Sequence, residues 1–591
     1  MSLRPLRAAL LATAVAAFAV PAAASADKPP FGNKCTDQAG VRFCPAATLD
    51  QRVPSFDGTP IDVDVTLPPT GNGPFPTILL LHGLGQDKTA FESADGTPLG
   101  YDNVSMARRG YAVITPTARG FGNSCGVAAS RTAGCEKGWT HVGDIRYEVR
   151  DLQYLTGLLV DDGIVDPNHI GSTGISYGGG MSTMLAYLKN RVRNLDGTYS
   201  PWVSPRGTPI SLTAAYPRWQ WSNGASIFTR NGRASSWSVN PIGVPVTAYA
   251  GGILTLPKIV GYTAPAGVDF SADVGHWLDL INASDLSNPD TQKVLQNAYD
   301  FHGVAGMSGT PSPLLIQNGW TDALFPVGQA LAPYDALRKA DPNFPVALQL
   351  GDLGHAPAAN HPQDIATTTA QGLSFLDAWL KGTGEKPAPG SVVAYTQTCP
   401  KSAPAGGGPF TAPSYAKLHR GTFAISAARA QSVTSAGGSA KLAKALNPLL
   451  ASGAVCTDYP AKRSRHTAYY SRVSPGLTLL GRPVVRAHVK ARGKLISLLA
   501  RVWDVNPKAR TQKLITRGSY RLLPSQKALT FTLDGNGWRF ARGHRIVVEL
   551  LGRDAPTYGV VPGTFSMKLS KVRVTLPTRD TPSKRKGIGK P

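Results

Sequence analysis

Three short segments carry side chains that could act together in chemistry. Gly174-Ile175-Ser176-Tyr177-Gly178 holds a serine with small residues two positions before and after it. Asn318-Gly319-Trp320-Thr321-Asp322 ends in a carboxylate, and Gly351-Asp352-Leu353-Gly354-His355 ends in an imidazole. A hydroxyl, an imidazole and a carboxylate are the parts of a nucleophilic relay, in which the base takes the hydroxyl proton and the acid orients the base.

The context of each segment supports that role. Asn168 to Thr173 reads as a buried strand, and Gly179 to Leu188 has apolar residues at helical spacing. A serine on a strand-to-helix turn is a nucleophile elbow, in which side chains at Gly174 and Gly178 would collide and the helix dipole favours developing negative charge. Asp322 follows the apolar run Leu314–Gln317, and His355 follows Val346–Leu350. Serine, then acid, then histidine, each after a strand, is the chain order of α/β-hydrolases. Asp352 and His361 are the rival acid and base, each less well placed, since Asp352 lies only three residues from His355 on one loop.

Such a nucleophile also needs an oxyanion hole. The expected donors are the backbone N–H groups of Tyr177 and Leu84, with Gly85 the alternative to Leu84, because His82-Gly83-Leu84-Gly85 follows the strand Thr77–Leu81. His82 precedes the nucleophile and is read as a brace for this loop rather than a base.

The elements that must position these residues alternate between apolar runs and amphipathic stretches from Thr59 to about Leu380, the pattern of a mainly parallel sheet covered by helices. Ile61–Leu67 alternates strictly and reads as an early antiparallel strand. Tyr111–Thr115, Ile170–Ile175 and Ile210–Ala215 join the runs already named, with helices over Asp144–Leu159 and Gln371–Leu380. The spacing breaks between Pro217 and Ser312, a Trp-, Gly- and Asn-rich stretch with helical patterns around Phe270–Ile281 and Thr291–Tyr299. It is read as a cap inserted at 218–311. After Lys386-Pro387-Ala388-Pro389-Gly390 the chain turns to β-branched runs such as Val484–Val489, Leu495–Val502, Thr530–Leu533 and Arg545–Leu551, with a short helical patch at Lys441–Leu446. An all-β sandwich over 391–578 is expected.

Length and composition set the frame. The chain has 591 residues, enough for two or three domains. Arg4 and Arg7, an apolar stretch from Ala8 to Val20 and Ala24-Ser25-Ala26 make residues 1–26 a secretory signal, too short in its apolar core to span a bilayer. A catalytic part over 27–390 follows. The six cysteines fall into local pairs, Cys35 with Cys44, Cys125 with Cys135, and Cys399 with Cys456, which an oxidising compartment could close. Proximity alone picks these among fifteen formal pairings. No CxxC or Cys/His cluster has metal-ligand spacing, so no metal or cofactor is expected.

The net charge of +24 is uneven. Residues 401–591 hold 34 Lys/Arg against 6 Asp/Glu, and the rest holds 27 against 31. A cationic module on an exported protein suits an anionic cell-surface polymer, and equally suits a solvated basic face. No nucleic-acid-reading motif is present. The tail over 579–591, with Ser583-Lys584-Arg585-Lys586, is expected to be disordered.

With these residues in view, the chain resembles the Xaa-Pro dipeptidyl-peptidase/cocaine-esterase-like (CocE/NonD, peptidase S15-like) family of serine hydrolases. The likeness rests on Gly174–Gly179, Gly319–Asp322, Gly354-His355, the Arg119-Gly120-Phe121-Gly122-Asn123-Ser124-Cys125-Gly126 loop, and Gly537 to Ile546 near the far end. It implies an α/β-hydrolase with an inserted helical cap, followed by a jelly-roll (galactose-binding-like) sandwich, and hydrolysis of acyl esters or Xaa-Pro peptide bonds. Family members often supply a tyrosine hydroxyl to the oxyanion hole from the loop after the third strand. Leu81 to Thr89 contains no tyrosine, so a hole of two amides is expected.

Two functional readings follow. The first is a secreted serine hydrolase acting on a small acyl ester or peptide through Ser176, His355 and Asp322 and an acyl-enzyme. The alternative is a non-catalytic, secreted cell-wall or glycan-binding protein on a hydrolase scaffold, motivated by the basic β module. A complete set of three groups in the right order favours the first.

Overall fold

A strand such as Thr77-Ile78-Leu79-Leu80-Leu81 can lack polar alternation only if both of its faces are covered. The computed structural model, which describes residues 28–233, 240, 242–449 and 456–580, has that arrangement. Its largest sheet contains β1 (Thr36–Gln38), β2 (Val41–Cys44), β3 (Val63–Leu67), β4 (Phe75–Leu81), β5 (Ala112–Pro116), β6 (Val165–Ile175), β7 (Leu212–Arg218), β8 (Leu314–Gly319), β9 (Val346–Gly351), β10 (Val392–Thr396) and β11 (Gly407–Ala412). Across the sheet the order is β1-β2-β3-β5-β4-β6-β7-β8-β9-β10-β11. Neighbours from β5 to β10 run parallel, and β1 to β3 and β11 add antiparallel margins.

Alternate residues of β4 serve two cores. Ile78 and Leu80 pack with α1 (Asn103–Arg108) and the apolar side of a long helix, Pro362–Leu380. Leu79 and Leu81 pack with α2 (Glu148–Asp161) and α3 (Tyr177–Leu188). Burial on both faces explains why the period-two signal vanishes in this strand.

Between β7 and β8 the chain forms α4 (Ala225–Phe228), α5 (Thr247–Val260), α6 (Val274–Ala283) and α7 (Pro289–Phe301). The expected helices near 270–281 and 291–299 are α6 and α7. Helix α5 escapes a pattern reading because Gly251-Gly252 and Pro257 lie within it. Two more helices, α8 (Gly328–Ala340) and α9 (Pro362–Leu380), follow β8 and β9.

The large sheet continues past Gly390, where the change of character was expected to end it. Val392 and Ala394 pair with Leu348 and Leu350, because Val392-Val393-Ala394-Tyr395-Thr396 is itself a β-branched run that extends the parallel edge. After β11 the chain builds separate antiparallel sheets of seven and five strands around one apolar core. Phe531 and Val574 come from the first sheet, Val502 and Val548 from the second.

The three expected disulfides, Cys35–Cys44, Cys125–Cys135 and Cys399–Cys456, are present. No described helix is long and apolar enough to cross a membrane. The leader expected over 1–26, and residues 581–591 of the expected tail, lie outside the described residues.

Candidate active site

Ser176 sits between the end of β6 and the start of α3 with φ +55 and ψ −114, a strained conformation for a residue with a side chain. Its N–H donates to the Arg218 carbonyl of β7 at 3.0 Å. The small residues beside it are required more by the neighbouring strand than by each other. A Cβ at Gly178 would lie 2.1 Å from the Leu81 carbonyl oxygen of β4, and one at Gly174 would lie 2.4 Å from the same atom.

Ser176 Oγ is 2.6 Å from His355 Nε2, and His355 Nδ1 is 2.8 Å from Asp322 Oδ2. The Asp322 side chain is fully buried, while that of His355 is about one-fifth exposed. Its other oxygen, Oδ1, accepts the N–H groups of Leu324 and Phe325 at 3.0 and 2.8 Å, so the carboxylate is fixed by its own loop. Phe325 and Trp219 stand edge-on to the imidazole, with centroids 5.0 and 6.0 Å away. A hydroxyl, an imidazole and an immobilised carboxylate in this sequence can generate a nucleophilic oxygen at neutral pH.

Asp352 and His361, the rival pair, are not at Ser176. They face each other, with Asp352 Oδ2 3.5 Å from His361 Nε2 and both side chains fully buried. Asp352 Oδ1 accepts the Thr321 hydroxyl at 2.5 Å and the Ala359 N–H at 3.1 Å. It thereby ties the loop that carries Asp322 to the loop that carries His355.

The other border of the site is a tight turn. Gln86 N–H donates to the Gly83 carbonyl at 3.1 Å, and Gly85 has φ +78, as the third position of a type II turn requires. Among the described residues the N–H groups of Leu84, Gly85 and Tyr177 have no acceptor in the protein. His82 braces this turn: Ala118 N–H donates to Nε2 at 2.9 Å, which leaves Nδ1–H to donate to the Gly83 carbonyl at 2.7 Å. Burial lowers its pKa and keeps it neutral.

Behind Tyr177 lies Glu148, fully buried, whose carboxyl is pushed up by burial. It accepts the Tyr177 hydroxyl at 3.1 Å, the Thr140 hydroxyl at 3.1 Å, and the N–H groups of His141 and Asp144 at 2.7 and 3.0 Å. A single carboxylate thus secures both the first residue of α3 and the 140–144 loop.

Ser176 and His355 open into a cavity of about 360 Å³. Helices α4 to α6 supply much of its wall, including Phe228, Tyr249, Ile253 and Trp277. No Asp, Glu, Lys or Arg among the described residues lines it. His302, the one imidazole there besides His355, is held neutral by burial and donates from Nδ1 to the Val142 carbonyl at 3.2 Å. Trp219 and Trp221 were missed as site residues. They directly follow β7, and a position at the end of a central strand was the signal that could have found them.

Residues 57–195 match the family model described as X-Pro dipeptidyl-peptidase (S15 family). No curated protein matches the chain at a significant level. The chain is similar to the crystal structure of an aminopeptidase from a marine sediment archaeon, Thaumarchaeota archaeon, at 15% identity and TM-score 0.58, covering 92% of this chain and 98% of that one. A CocE/NonD family hydrolase from Staphylococcus aureus gives 12% identity and TM-score 0.56 over 91% and 94%. An alpha-amino acid ester hydrolase gives 14% and 0.55 over 92% and 97%. At these identities the likeness establishes a shared fold over nearly the whole length, with a large mixed sheet of α/β-hydrolase type and separate antiparallel sheets after it.

Proposed function

From the premise that the chain is a serine hydrolase of the S15/CocE-like type, we propose that it cleaves carboxylic esters of uncharged, apolar acids through Ser176, His355 and Asp322. The observation that carries this reading is the hydrogen-bonded run from Ser176 Oγ through the His355 ring to Asp322, opening into a cavity without ionised side chains.

In the first half-reaction Ser176 Oγ bonds to the carbonyl carbon and its proton passes to His355 Nε2. The carbonyl electron pair moves onto oxygen, where the N–H groups of Leu84 and Tyr177 hold it. Collapse breaks the bond to the leaving alcohol, which takes the proton from Nε2 and departs. Water then gives a proton to Nε2 and attacks the acyl-enzyme. The acid leaves as Ser176 recovers its proton. Asp322 keeps Nδ1 protonated and steadies the imidazolium throughout.

The cavity favours an ester over a peptide with a free amino end. An ammonium group placed there would lose water and find no carboxylate, which costs several kcal/mol. The nearby acids are occupied: Asp322 by His355, Glu148 by four donors, and Asp144 by Arg146. Two of the similar structures carry names that specify amino-bearing substrates, so an Xaa-Pro peptide or an amino ester is the competing reading.

The proposed architecture is a hydrolase part with a helical cap over 218–311, followed by a β-sandwich of jelly-roll type. Export through a cleaved leader is supported by the three disulfides. Ser176→Ala tests the mechanism directly. It should lower kcat by about 10⁶-fold and abolish labelling by a fluorophosphonate probe. Turnover near that of the wild type would end the proposal.

A further inference from the structure

The two longest-paired strands of the seven-stranded sheet place like charges side by side. Strand Val484–Arg492 pairs antiparallel with Ser566–Thr578, with Arg486 directly opposite Arg573 and Lys490 directly opposite Lys568. Directly opposed residues project from the same side of a sheet, about 5 Å apart, and like charges there repel. All four side chains are exposed, and the residues between them are the buried ones, Val485, Ala487, Val489, Leu569, Val572 and Val574. The cations therefore stand together on the outer face of the sheet.

The same pairing is interrupted between Arg486 and His488. On the opposite strand Lys571 lies in this interruption with φ +48, and it too is exposed. A bulge of this kind re-aims a side chain, and glycine is the residue that takes a left-handed conformation at low cost. Here the strained position carries a fifth cation.

Among the described residues nothing on this face neutralises them. The strands flanking the pair are Gly421–Ala427, Gln431–Thr434 and Ala528–Thr532, and none of the five strands contains Asp or Glu. Their residues opposite the cations are small hydroxyl carriers: Ser426 beside Arg573, Ser432 beside Lys568, and Thr530 beside Arg486. None of the five cations has an ion pair or side-chain hydrogen bond among the described residues.

We propose that this outer face docks a linear anionic polymer of the cell surface. From Arg486 to Lys490 the row spans about 13 Å along the strand, long enough to meet successive charges of one extended polyanion. Two features separate this partner from a bilayer or a single-stranded nucleic acid. Among the described residues the face exposes no Phe, Tyr, Trp, Leu, Ile or Met to enter lipid, and the single imidazole of His488 is not the run of aromatic rings on which successive bases stack. Small hydroxyls beside the cations add donors for the oxygen atoms of phosphate or carboxylate groups. The repulsion and the strained lysine lower stability, as expected where a surface serves binding rather than folding.

The test uses the full-length protein and immobilised poly(glycerol phosphate). The variant Arg486→Ser/Lys490→Ser/Lys568→Ser/Arg573→Ser is compared with Lys441→Ser/Lys444→Ser/Lys462→Ser/Lys508→Ser, which removes the same charge from exposed positions elsewhere in the C-terminal part. The first should bind at least about tenfold more weakly than the second, with the slope of log K against log salt reduced by about 3. Its melting temperature should equal or exceed that of the wild type, since opposed like charges are removed, and ester turnover should be unchanged. Equal weakening in both variants would overturn the proposal, because net charge alone would then explain binding. So would tighter binding of the wild type to anionic lipid vesicles or to single-stranded DNA than to the polymer.

Discussion

Asp322 Oδ2 accepts two N–H groups of the same residue, the ring Nδ1–H of His355 at 2.8 Å and its main-chain N–H at 3.1 Å. One carboxylate oxygen thus fixes both the orientation of the imidazole and the path of the loop beneath it. Asp322→Asn keeps an acceptor for the main chain but offers an amide where the ring needs a carboxylate. Activity on p-nitrophenyl butyrate should fall by about 10⁴-fold in kcat, while the melting temperature moves by only a few degrees. An equal collapse of folding and activity would mean that the residue serves structure alone.

The apolar cavity predicts a charge preference that can be read with matched substrates. Methyl phenylacetate and methyl phenylglycinate differ by one amino group, and methyl mandelate supplies an uncharged polar control. We expect kcat/KM for phenylacetate to exceed that for phenylglycinate by about 100-fold at pH 6, with mandelate between them. The gap should narrow towards pH 9 as the amine loses its proton. Faster cleavage of phenylglycinate, or release of nitroaniline from Gly-Pro-p-nitroanilide at a comparable rate, would favour the amino-bearing class instead. Fluorophosphonate labelling of Ser176 in the same preparation separates a wrong substrate class from an inactive protein.

Two glycines of the site should respond differently to alanine. At Gly178 the new methyl would meet the Leu81 carbonyl oxygen at 2.1 Å, and that backbone belongs to a strand buried on both faces. Gly178→Ala should therefore lose soluble, active protein. At Gly85 the methyl meets side chains of α5 rather than backbone, Val260 at 2.9 Å and Leu256 at 3.2 Å, so a small shift of that helix adds to the left-handed backbone's cost of about 1 kcal/mol. Gly85→Ala should fold, melt within a few degrees of the wild type, and lose about tenfold or more in kcat as the Leu84 N–H shifts.

Much of this site was legible because its parts obey local rules. Ser176, Asp322 and His355 each follow an apolar run that is a strand, and the order of the three limits the candidates. The loop His82–Gly85 was legible as the one after Thr77–Leu81, but its closure as a turn by Gln86 was not. What stayed hidden depends on partners distant in the chain. Helix α5 contains Gly251, Gly252 and Pro257, and its stability comes from packing Tyr249, Ala250 and Leu254 inward. Strand β10 lies beyond a Pro- and Gly-rich stretch that reads as a linker. The collision expected between Gly174 and Gly178 was set chiefly by a third residue, Leu81, which no spacing within the motif reveals. Cross-strand neighbours such as Arg486 and Arg573 are 87 positions apart, so a like-charged pair was visible only as net charge.

The buried pair behind the base loop gives stability a pH dependence. His361 donates from Nδ1 to the Ala403 carbonyl at 2.5 Å and turns Nε2 towards Asp352, with Asp364 also nearby. The Asp352 carboxyl, 3.5 Å from Nε2, is the largest influence and raises the imidazole pKa above its ordinary 6.5. A raised value means that the folded state holds the proton more tightly than the unfolded chain. The stabilisation is therefore complete below about 6.5 and is lost as pH rises through the higher folded value. Calorimetry from pH 6 to pH 9 should show the wild-type melting temperature falling more steeply than that of His361→Gln. Parallel curves would remove this pair from the account.

The disulfides allow a graded test in which loop length is the variable. Cys35–Cys44 and Cys125–Cys135 close loops with separations of 9 and 10, whereas Cys399–Cys456 has a separation of 57. Chain-entropy arguments give about 2.5 kcal/mol for a short loop and about 4 kcal/mol for the long one. The long bridge also joins the segment just after β10 to the stretch preceding Tyr459, the first residue of a strand in the five-stranded sheet. Replacing both its cysteines by serine should therefore loosen the two parts of the molecule relative to each other as well as lower stability. Denaturant titration of the three double-serine variants should rank the long bridge first, and limited proteolysis should cut within 400–449 only in that variant. If the three variants lose equal stability, loop entropy is not what these bridges contribute.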